Sequence, residues 1–452
     1  MEISELYKIF TEHDVVTTDS RDCPEGSLFF ALKGESFDGN KFAAMALEKG
    51  CAYAVVDEKE YANDPRCILV DNCLDTLQQL ARYHRRTLGT PIIGITGTNG
   101  KTTTKELTAA VLSKRYNVLY TQGNFNNDIG VPKTLLRLKP THDIAVVEMG
   151  ASHPGDIKKL VDIVEPDYAL ITNVGRAHLQ GFGSFEGVIH TKGELYDFMR
   201  ERGNWDAPVP GSLDFGRKRC VFIDAENPYL ASISEGLNLV RYGCTKAEEL
   251  WVNGVVNSCA PMLNFSWAHN DGSFSSVWHE TPTHLIGSYN ITNMLAAVSI
   301  GLYFNVDPDK ITDALCEYMP SNNRSQFEKT ADNRLIVDAY NANPTSMTAA
   351  LKNFGEMDAP LCKMCIIGDM KELGEVSHEE HQKIIDLLSE LKIHNVWLVG
   401  SEFEHCNTPY NFRKFNNVEE VKEAIKADKP QGYDILIKGS NSTKLYELPK
   451  LL

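Results

Sequence analysis

Short apolar runs alternate with amphipathic stretches through the middle of the chain. Runs such as PIIGIT and DIAVVEMG have the length of buried strands, and the stretches between them space their apolar residues as helices do. Strands that alternate with helices form a parallel sheet covered by helices. We therefore predict strands at 91–96, 117–121, 143–150 and 168–174, separated by helices that include 101–114 and 155–164.

The same alternation begins again after Pro320. Apolar runs such as RLIVDA and YDILIKGS are again separated by amphipathic stretches. This pattern indicates another α/β domain at the C-terminal end of the chain. Its predicted strands are 334–339, 364–370, 395–400 and 433–440, and its predicted helices include 377–392 and 417–426.

The first 88 residues contain shorter strands and more turns. Strands are predicted at 26–32, 51–56 and 67–70, with a turn at 38–40. The stretch CLDTLQQLARYHRRTL reads as a helix that ends at Gly89, with Pro91 just beyond, and both residues are helix-stop signals. A domain boundary at this point and another near Pro320 give three domains, 1–88, 89–319 and 320–452.

Composition narrows the class of protein. The chain has 452 residues, 42% of them hydrophobic, and no apolar run reaches the roughly 18 residues of a membrane helix. The start, MEISELYKIF, lacks the features of a signal peptide, so we expect a cytoplasmic protein without a membrane span. A net charge of −16 argues against a nucleic-acid partner, which needs clustered Lys and Arg. It does not argue against a small phosphate ligand.

Cysteine spacing suggests no metal or redox centre. The eleven cysteines are scattered, and we expect free thiols in a reducing compartment. Cys362 and Cys365 form a CxxC within a predicted strand, where residues three apart point to opposite faces. The HEEH at 378–381 is not the HExxH of metalloproteases, and we interpret it as a solvated helix face.

The stretch GITGTNGKTTTKEL at 94–107 has the context of a phosphate-binding loop: an apolar strand, a glycine turn and a helix. The strict pattern GxxxxGK[ST] fails at one position, because Ile95 stands where the first glycine belongs. Backbone N–H groups and the helix dipole would still favour an anion at this turn. A plainer interpretation is a glycine turn before a threonine-rich helix. The predicted loop residues are Gly97, Thr98, Asn99, Gly100, Lys101, Thr102 and Thr103.

Two further candidate residues for a ligand site lie at the ends of neighbouring predicted strands. Glu148 ends the run AVVEMG, and His178 follows the next strand in NVGRAHL. Taken alone, Glu148 is more simply interpreted as a helix cap or a member of an ion pair, and His178 as a surface residue. Ligand sites in parallel sheets lie at the carboxyl ends of strands, so their placement near one loop favours a nucleotide site.

Several stretches together resemble the Mur ligases, and within that family the MurF branch. They are GTNGKTTTKEL, GNFNNDIGVPKTLL, EMGASHPGDI, NVGRAHLQGFGS, KGEL, DAYNANPTSM and GDMKELGE, preceded by TTDSRDCPEGSLFFALKGESFDGNKF. The resemblance implies three domains: a small α/β N-terminal domain, a central P-loop parallel-sheet ATPase domain and a C-terminal Rossmann-like α/β domain. It also implies an ATP-dependent amide ligase of peptidoglycan precursor synthesis. In that reaction the carboxylate of UDP-N-acetylmuramoyl-tripeptide attacks ATP, and D-alanyl-D-alanine displaces phosphate from the acyl phosphate.

The resemblance assigns the reacting centre. Lys101 would reach the outer phosphates, Thr102 and Glu148 would hold one Mg²⁺, and His178 would contribute to a second. Lys192 matches a lysine that the family carbamylates. From the residues alone, an ordinary lysine paired with Glu194 is the simpler interpretation of this position.

Other residues match the family pattern less completely, because some residues beside them differ from it. Asn290 matches an adenine-side asparagine, or else caps a helix, and Tyr289 stands where a histidine is usual. The usual KGSR is KGSN here, so Asn441 cannot supply the charge of that arginine. Nucleotide contacts are also implied for Arg324 and Asp338, and substrate contacts for Ser20, Arg21, Asn40, Asn126, Asn127, Asn341 and Asn343, the last two otherwise forming the turn before Pro344.

Two alternatives stay open from the sequence. One is a ligase of the same superfamily with a different acceptor, and the other is a nucleotide-dependent switch that does no ligation. DAYNANPTSM and the N-terminal stretch argue against the first. The sequence does not tell whether the tripeptide ends in diaminopimelate or lysine, and we expect a monomer.

Overall fold

The computed structural model describes residues 1–203, 218–245, 249–270, 277–320, 325–358 and 360–452. Their strands form three main sheets, of four, nine and six strands, and a small two-stranded one. The expected three-domain α/β architecture is confirmed. The exact domain limits stay a prediction, although each main sheet draws its strands from one of the predicted ranges.

The N-terminal sheet is small and wholly parallel. Its closing helix begins at Asn72, whose side chain accepts a hydrogen bond from the Asp75 N–H, and ends at Gly89, which has a φ of 67°. A left-handed glycine of this kind is the usual end of a helix. The strands in spatial order are Val16–Thr17, Leu28–Phe30, Tyr53–Val56 and Cys67–Leu69, and the helices are Ile3–Glu12, Ala43–Glu48 and Cys73–Leu88.

The central sheet places the P-loop strand, Ile92–Thr96, between Ile144–Glu148 and Tyr168–Ile171. All three strands are buried throughout, which explains why they read as continuous apolar runs. The carboxyl ends of these strands therefore lie side by side. The sheet order is Trp278–Ile286, Met262–His269, Val252–Cys259, Leu239–Gly243, Cys220–Asp224, Tyr168–Ile171, Ile92–Thr96, Ile144–Glu148 and Val118–Tyr120.

Helices cover both faces of this sheet, and one edge departs from the parallel pattern. Met262–His269 pairs antiparallel with both of its neighbours, because it is joined to Val252–Cys259 by a two-residue turn. The parallel central sheet expected from the sequence is confirmed from Val118–Tyr120 to Val252–Cys259, and two further strands extend it by antiparallel pairing at one edge. The helices are Lys101–Ser113, Gly130–Leu135, Asp156–Val164, Leu179–Phe182, Phe185–Arg202, Pro228–Ser232, Ile291–Tyr303 and Pro308–Glu317.

The C-terminal sheet is parallel apart from one edge strand, Gln326–Lys329. Cys362 and Cys365 lie on one of its strands, one exposed and the other buried, as the two-residue period predicts. The strands in order are Gln326–Lys329, Arg334–Asp338, Tyr433–Lys438, Cys362–Gly368, Asn395–Val399 and Arg413–Phe415, and the helices are Pro344–Glu356, Ser377–Glu390 and Val418–Ala427.

The HEEH segment is only partly the solvated face expected. His378 and Glu379 are exposed, but Glu380 and His381 are buried. The ring of His381 accepts a hydrogen bond from the Met370 N–H at 3.0 Å and contacts the Ser377 carbonyl at 2.7 Å. The histidine thus anchors the loop after strand Cys362–Gly368. In the described ranges, no helix is both long and apolar enough to span a bilayer.

The N-terminal and central domains are tied by a buried ion cluster. Arg85, on the helix Cys73–Leu88, lies 3.0 Å from Asp167 and also donates to the Val164 carbonyl at 2.9 Å. Asp167 also lies 3.1 Å from Arg202 of the central domain. Because the ions are buried and paired, separating the two domains at this contact would leave uncompensated charges, which is costly.

Candidate active site

The P-loop turns sharply between strand Ile92–Thr96 and helix Lys101–Ser113. Gly97 and Gly100 have φ values of 142° and 79°, which residues other than glycine rarely adopt. A Cβ on Gly97 would lie 2.0 Å from the Thr172 hydroxyl oxygen, so no side chain fits there. The helix thus begins with its N–H groups facing an open turn, the arrangement that binds phosphate in other proteins.

Lys101 lies folded over this turn. Its ammonium donates to the carbonyls of Gly97 at 2.7 Å and Thr98 at 3.0 Å. The loop itself is held to the neighbouring strand end, since the Asn99 N–H donates to the Asn173 side chain at 3.0 Å. A cation is therefore placed beside the helix N-terminus on a rigid turn, which suits a polyphosphate.

A cavity of about 890 Å³ extends from this loop toward the C-terminal domain. It brings together residues that lie up to 340 positions apart in the chain, from Thr98 to Lys438. Gly97, Lys192, Asn343, Ser20, Arg21 and Asn40 are not among the residues that line it. The predicted site residues that do line it are Thr98, Asn99, Gly100, Lys101, Thr102, Thr103, Asn126, Asn127, Glu148, His178, Asn290, Asp338 and Asn341.

Glu148 is almost fully buried at the end of its strand. One carboxylate oxygen, Oε1, accepts hydrogen bonds from the Thr102 hydroxyl at 3.2 Å and the Asn126 amide at 2.8 Å. The other, Oε2, accepts none from the described residues and lies 3.8 Å from the Lys105 ammonium. An adjacent hydroxyl and carboxylate are the hard oxygen ligands that Mg²⁺ takes in nucleotide sites, where phosphate and water complete its shell. Thr102 and Glu148 therefore fit a magnesium ion.

Any further ligands of a magnesium ion would have to come from groups other than Thr102 and Glu148. Within the described ranges, no three or more His, Cys, Asp and Glu side chains are clustered as a metal site. His178 lines the same cavity, and its Nδ1 contacts the Glu372 carboxylate of the C-terminal domain. Burial lowers the pKa of His178, and the positive charges of Lys101 and Lys192 act in the same direction. The charge of Glu372 opposes this shift, and the net lowering favours the neutral imidazole, the form that binds metal.

Lys192 is buried on the helix Phe185–Arg202, with its ammonium 5.5 Å from the centre of the Phe182 ring. Burial lowers the pKa of Lys192 well below that of an ordinary lysine, and the charge of Lys101 adds to the effect. Glu194 is not its partner. The Glu194 carboxylate instead accepts hydrogen bonds from the N–H groups of Gly155 at 2.9 Å and Lys158 at 2.8 Å. The simple ion pair considered from the sequence is therefore wrong.

Asn290 stands at the start of helix Ile291–Tyr303 but makes no capping hydrogen bond. Its amide donates to the Ile286 carbonyl and accepts from Asn293, both at 2.8 Å. Asn293 in turn accepts from the Thr104 hydroxyl at 3.1 Å and packs against Gly100. The two asparagines thus connect this helix to the P-loop, and the helix-cap alternative does not hold.

In the C-terminal domain, Asp338 ends its strand beside a buried lysine. The Lys438 ammonium lies 2.6 Å from the Asp338 carboxylate and 3.3 Å from the Asn341 carbonyl. Asn343 caps the helix Pro344–Glu356 and also donates to Asn99 of the P-loop at 2.8 Å. The turn interpretation therefore holds for Asn343, which additionally joins two domains. Arg324 lies outside the described residues.

The three predicted residues of the N-terminal domain lie apart from the cavity. Arg21 is exposed and forms two hydrogen bonds with Asp19, at 2.9 and 2.8 Å. Ser20 is buried, and its carbonyl accepts from Lys49 at 2.8 Å. Asn40 is fully buried and hydrogen-bonded to Asp57 through both its amide nitrogen and its oxygen. Its position favours a structural role over contact with a substrate.

Sequence reasoning missed Lys105, Asn293, Glu372 and Lys438, all of which contact predicted site residues. Lys105 and Glu372 lie inside stretches that had been singled out, so their charges were a usable signal. Asn293 and Lys438 sit within apolar helix and strand patterns. Nothing in a one-dimensional pattern shows that they turn toward the site.

Comparison with known proteins matches three regions of the chain to models of one family. Residues 12–85 match "Mur ligase family, catalytic domain", residues 95–301 match "Mur ligase middle domain", and residues 323–441 match "Mur ligase, glutamate ligase domain". Curated relatives cover nearly the whole length. The UDP-N-acetylmuramoyl-tripeptide–D-alanyl-D-alanine ligases of Bacillus subtilis and Escherichia coli are each 33% identical, over 96% and 97% of this chain and 92% and 93% of theirs.

Solved structures resemble the fold over the same length. A crystal structure of MurF from Acinetobacter baumannii is 30% identical and has a TM-score of 0.82, covering 96% of this chain and 92% of its own. The MurF ligase of Thermotoga maritima, solved in complex with ADP, has a TM-score of 0.81 at 24% identity, covering 97% and 96%. The likeness therefore extends across all three domains.

Proposed function

The chain belongs to the Mur ligase family, in its MurF branch, and we propose that it joins D-alanyl-D-alanine to UDP-N-acetylmuramoyl-tripeptide with conversion of ATP to ADP and phosphate. The observation that carries the proposal is the single cavity that Lys101, Glu148 and His178 share beneath the C-terminal domain. It is supported by curated ligases that are 33% identical over nearly the whole chain. The product is a precursor of peptidoglycan.

The reaction forms one amide in two steps. The carboxylate of the tripeptide attacks the γ-phosphorus of ATP, so that an acyl phosphate forms and ADP leaves. The amine of the dipeptide then attacks the acyl carbon, phosphate leaves, and the amine loses its proton. In the first step two anions must meet. Two like charges 4 Å apart repel by about 4 kcal/mol at an effective dielectric of 20, which alone would slow attack about a thousandfold.

The residues of this chain offset that repulsion. The P-loop N–H groups and Lys101 would bind the phosphates and hold the γ-phosphorus in one position. Thr102 and Glu148 would hold one magnesium ion, and His178 would contribute to a second. Bound magnesium would neutralise charge on the phosphate and carboxylate oxygens. Asn290 and Asp338 line the cavity where the nucleoside would lie, and Arg324 is predicted to join them.

Lys192 would carry a carbamate. A neutral amine adds carbon dioxide to give a carbamate anion and releases one proton. Burial and the nearby Lys101 charge favour the neutral amine and outweigh the opposing charges of Asp156 and Glu194. The resulting anion would suit a position near magnesium, where an ammonium would be repelled.

The two organic substrates would approach from different domains. The N-terminal domain is proposed to bind the uridine diphosphate end through Ser20 and Arg21, with Asn126 and Asn127 on the central-domain side. Asn341 and Asn343 lie on the side of the dipeptide. We further propose that the protein works as a monomer in the cytoplasm, which gel filtration and cell fractionation would test.

Phosphate release tests the proposed function. We expect release only when ATP, magnesium, UDP-N-acetylmuramoyl-tripeptide and D-alanyl-D-alanine are all present, and only weak release with other amines. Lys101→Ala should abolish nearly all turnover without unfolding the protein. A nucleotide switch would hydrolyse ATP without the other substrates, and a ligase with another acceptor would prefer a different amine.

A further inference from the structure

A buried ammonium lies behind the two side chains proposed to hold magnesium. Lys105 lies one turn along the helix that begins at Lys101, and its side chain is fully buried. Its Nζ lies 3.8 Å from Oε2 of Glu148. This is the carboxylate oxygen opposite the one that Thr102 and Asn126 contact. The proposed metal ligand therefore already has a cation on one side.

A second carboxylate holds this ammonium in place. Oε1 of Glu106 lies 3.6 Å from the Lys105 ammonium. Oε2 of the same glutamate accepts a hydrogen bond of 2.6 Å from the Tyr318 hydroxyl. The centre of the Tyr120 ring lies 5.9 Å from the ammonium, which adds the attraction between a cation and an aromatic face. The position of Lys105 is therefore set by contacts with its neighbours rather than by solvent.

The burial of Glu148 explains why a cation is needed beside it. The residue is 1% exposed, and a buried carboxylate without a counter-charge is strongly destabilising. Bound magnesium would supply that charge, and Lys105 supplies it when no metal is bound. Stability alone does not account for the pair, because two apolar side chains of similar volume are often at least as stable as a buried ion pair. The pair therefore points to a role in binding the metal.

The charge of Lys105 also opposes the metal. Two cations that share one buried carboxylate repel each other, and this repulsion lowers the affinity for a divalent ion by about tenfold or more. Because the ammonium faces Oε2, Glu148 presents the other oxygen, Oε1, beside the Thr102 hydroxyl. Magnesium gives up its water reluctantly and takes several ligands from substrate phosphates. One carboxylate oxygen and one hydroxyl therefore form a weak site until phosphates are present.

We propose that Lys105 keeps the affinity of the free enzyme for divalent metal low, so that magnesium binds together with the nucleotide. When the metal has left, the same ammonium balances the charge of Glu148. Lys105 is a positioning residue, because it acts through Glu148 and is not among the residues that line the cavity. The inference rests on the proposed ATP-dependent function. It adds to that function a reason why the metal can leave with ADP at the end of each turnover.

Binding of Mn²⁺, used in place of Mg²⁺, tests the proposal without any turnover, because electron paramagnetic resonance measures the free ion. The wild type should bind Mn²⁺ only weakly until ADP is added. Lys105→Met removes the charge and should lower the dissociation constant for Mn²⁺ without nucleotide by about tenfold or more. Lys105→Arg keeps the charge and should bind Mn²⁺ as weakly as the wild type. Lys114→Met, at the other end of the same helix, removes a lysine paired with Glu317 at 2.6 Å and should also match the wild type.

Thermal unfolding measures the second part of the proposal, the balance of charge without metal. Lys105→Met leaves the buried Glu148 without its ammonium, so the variant should unfold at a lower temperature than the wild type. Mn²⁺ should raise the unfolding temperature of the variant more than that of the wild type, because a ligand stabilises the folded state according to its affinity. Lys105→Gln is also neutral but can donate a hydrogen bond to Glu148, so it should fold even where Lys105→Met does not and should show the same tighter binding of Mn²⁺.

The outcomes that overturn the inference differ from those that overturn the function. Weaker binding of Mn²⁺ by both neutral variants would mean that Lys105 only orients the carboxylate, and unchanged binding would mean that its charge does not reach the metal. A wild type that binds Mn²⁺ tightly without nucleotide would also overturn the inference, while its phosphate release with all substrates would leave the ligase intact. A wild type that releases no phosphate with all substrates would overturn the proposed function instead.

Discussion

Lys192 is an amine in a place where an ammonium ion is poorly stabilised. If it carries a carbamate, Lys192→Ala should lower turnover by at least about tenfold, as loss of a group that orients a metal or ligand does. Short carboxylic acids added to the variant should restore part of the rate, because they replace the lost anion. The exposed Lys158→Ala serves as the control and should keep the wild-type rate. Normal turnover of Lys192→Ala without added acid would contradict the carbamate.

Asp224 offers a test of stability rather than activity. Burial raises the pKa of Asp224 to about 6 from 3.8, and the charge of Glu226 acts in the same direction. Between these values the folded state binds more protons than the unfolded state, so this residue lowers stability as the pH rises. The cost above pH 6 is about 3 kcal/mol, at 1.36 kcal/mol per pKa unit.

Asp224→Asn should therefore stabilise the protein at pH 8. Its amide oxygen can still accept the hydrogen bond from the Glu226 N–H, which is 3.0 Å long in the wild type. Urea unfolding should show the gain shrinking as the pH falls from 8 to 5. Asp162→Asn, at an exposed position, should show no such trend. A gain that is the same at both pH values would mean that the carboxyl group does not titrate in this window.

Some residues of the candidate site could be predicted from the sequence alone, and others could not. Lys101, Thr102 and Glu148 were found because each lies within a few residues of a strand end, where local pattern and ligand chemistry agree. The burial of Asn40 and the contact of Glu372 with His178 join residues 17 and 194 positions apart. Such contacts depend on how elements distant in the chain pack within and between domains, which no local pattern encodes.

The P-loop as an element depends on glycine for two separate reasons, backbone conformation and space. Gly97→Ala should abolish ATP binding, because its Cβ would lie 2.0 Å from the Thr172 hydroxyl and 3.0 Å from the Thr172 nitrogen. Gly123 also has a positive φ, but nothing lies within 4 Å of its Cβ position. Gly123→Ala should therefore lower the free energy of unfolding only by the backbone strain, about 1–2 kcal/mol. Calorimetry with ADP should find binding lost in the first variant and kept in the second.

Two neighbouring elements at the boundary of the first two domains were predicted close to their observed limits. The helix predicted at 73–88 is observed at Cys73–Leu88, and the strand predicted at 91–96 at Ile92–Thr96. The strands from Val252 to Ile286 were missed, since many of their residues alternate between exposed and buried and carry Asn, Ser, His and Thr. An edge of a sheet that faces water on one side has no continuous apolar run to detect.

Across the whole molecule, the central and C-terminal domains meet through polar contacts around the cavity and through an apolar contact made by Ile286. Arg176 lies 3.2 Å from Glu380, and His178 contacts Glu372. Half-exposed ion pairs such as the first contribute at most about 1 kcal/mol each. Contacts this weak can break and re-form, so ligands in the cavity can shift the balance between open and closed arrangements.

The side chain of Asn343 both caps the helix Pro344–Glu356 and hydrogen-bonds to Asn99 of the central domain. Variants at this position can therefore distinguish the contact between domains from the stability of the helix. Asn343→Ala should lose both and lower stability by about 1 kcal/mol. Asn343→Ser keeps a capping oxygen but is too short to reach Asn99, so its thermal unfolding should stay near that of the wild type. In small-angle scattering with an ATP analogue, both variants should be more extended than the wild type. If only the alanine variant were extended, the loss of the cap, rather than of the contact between domains, would be the cause.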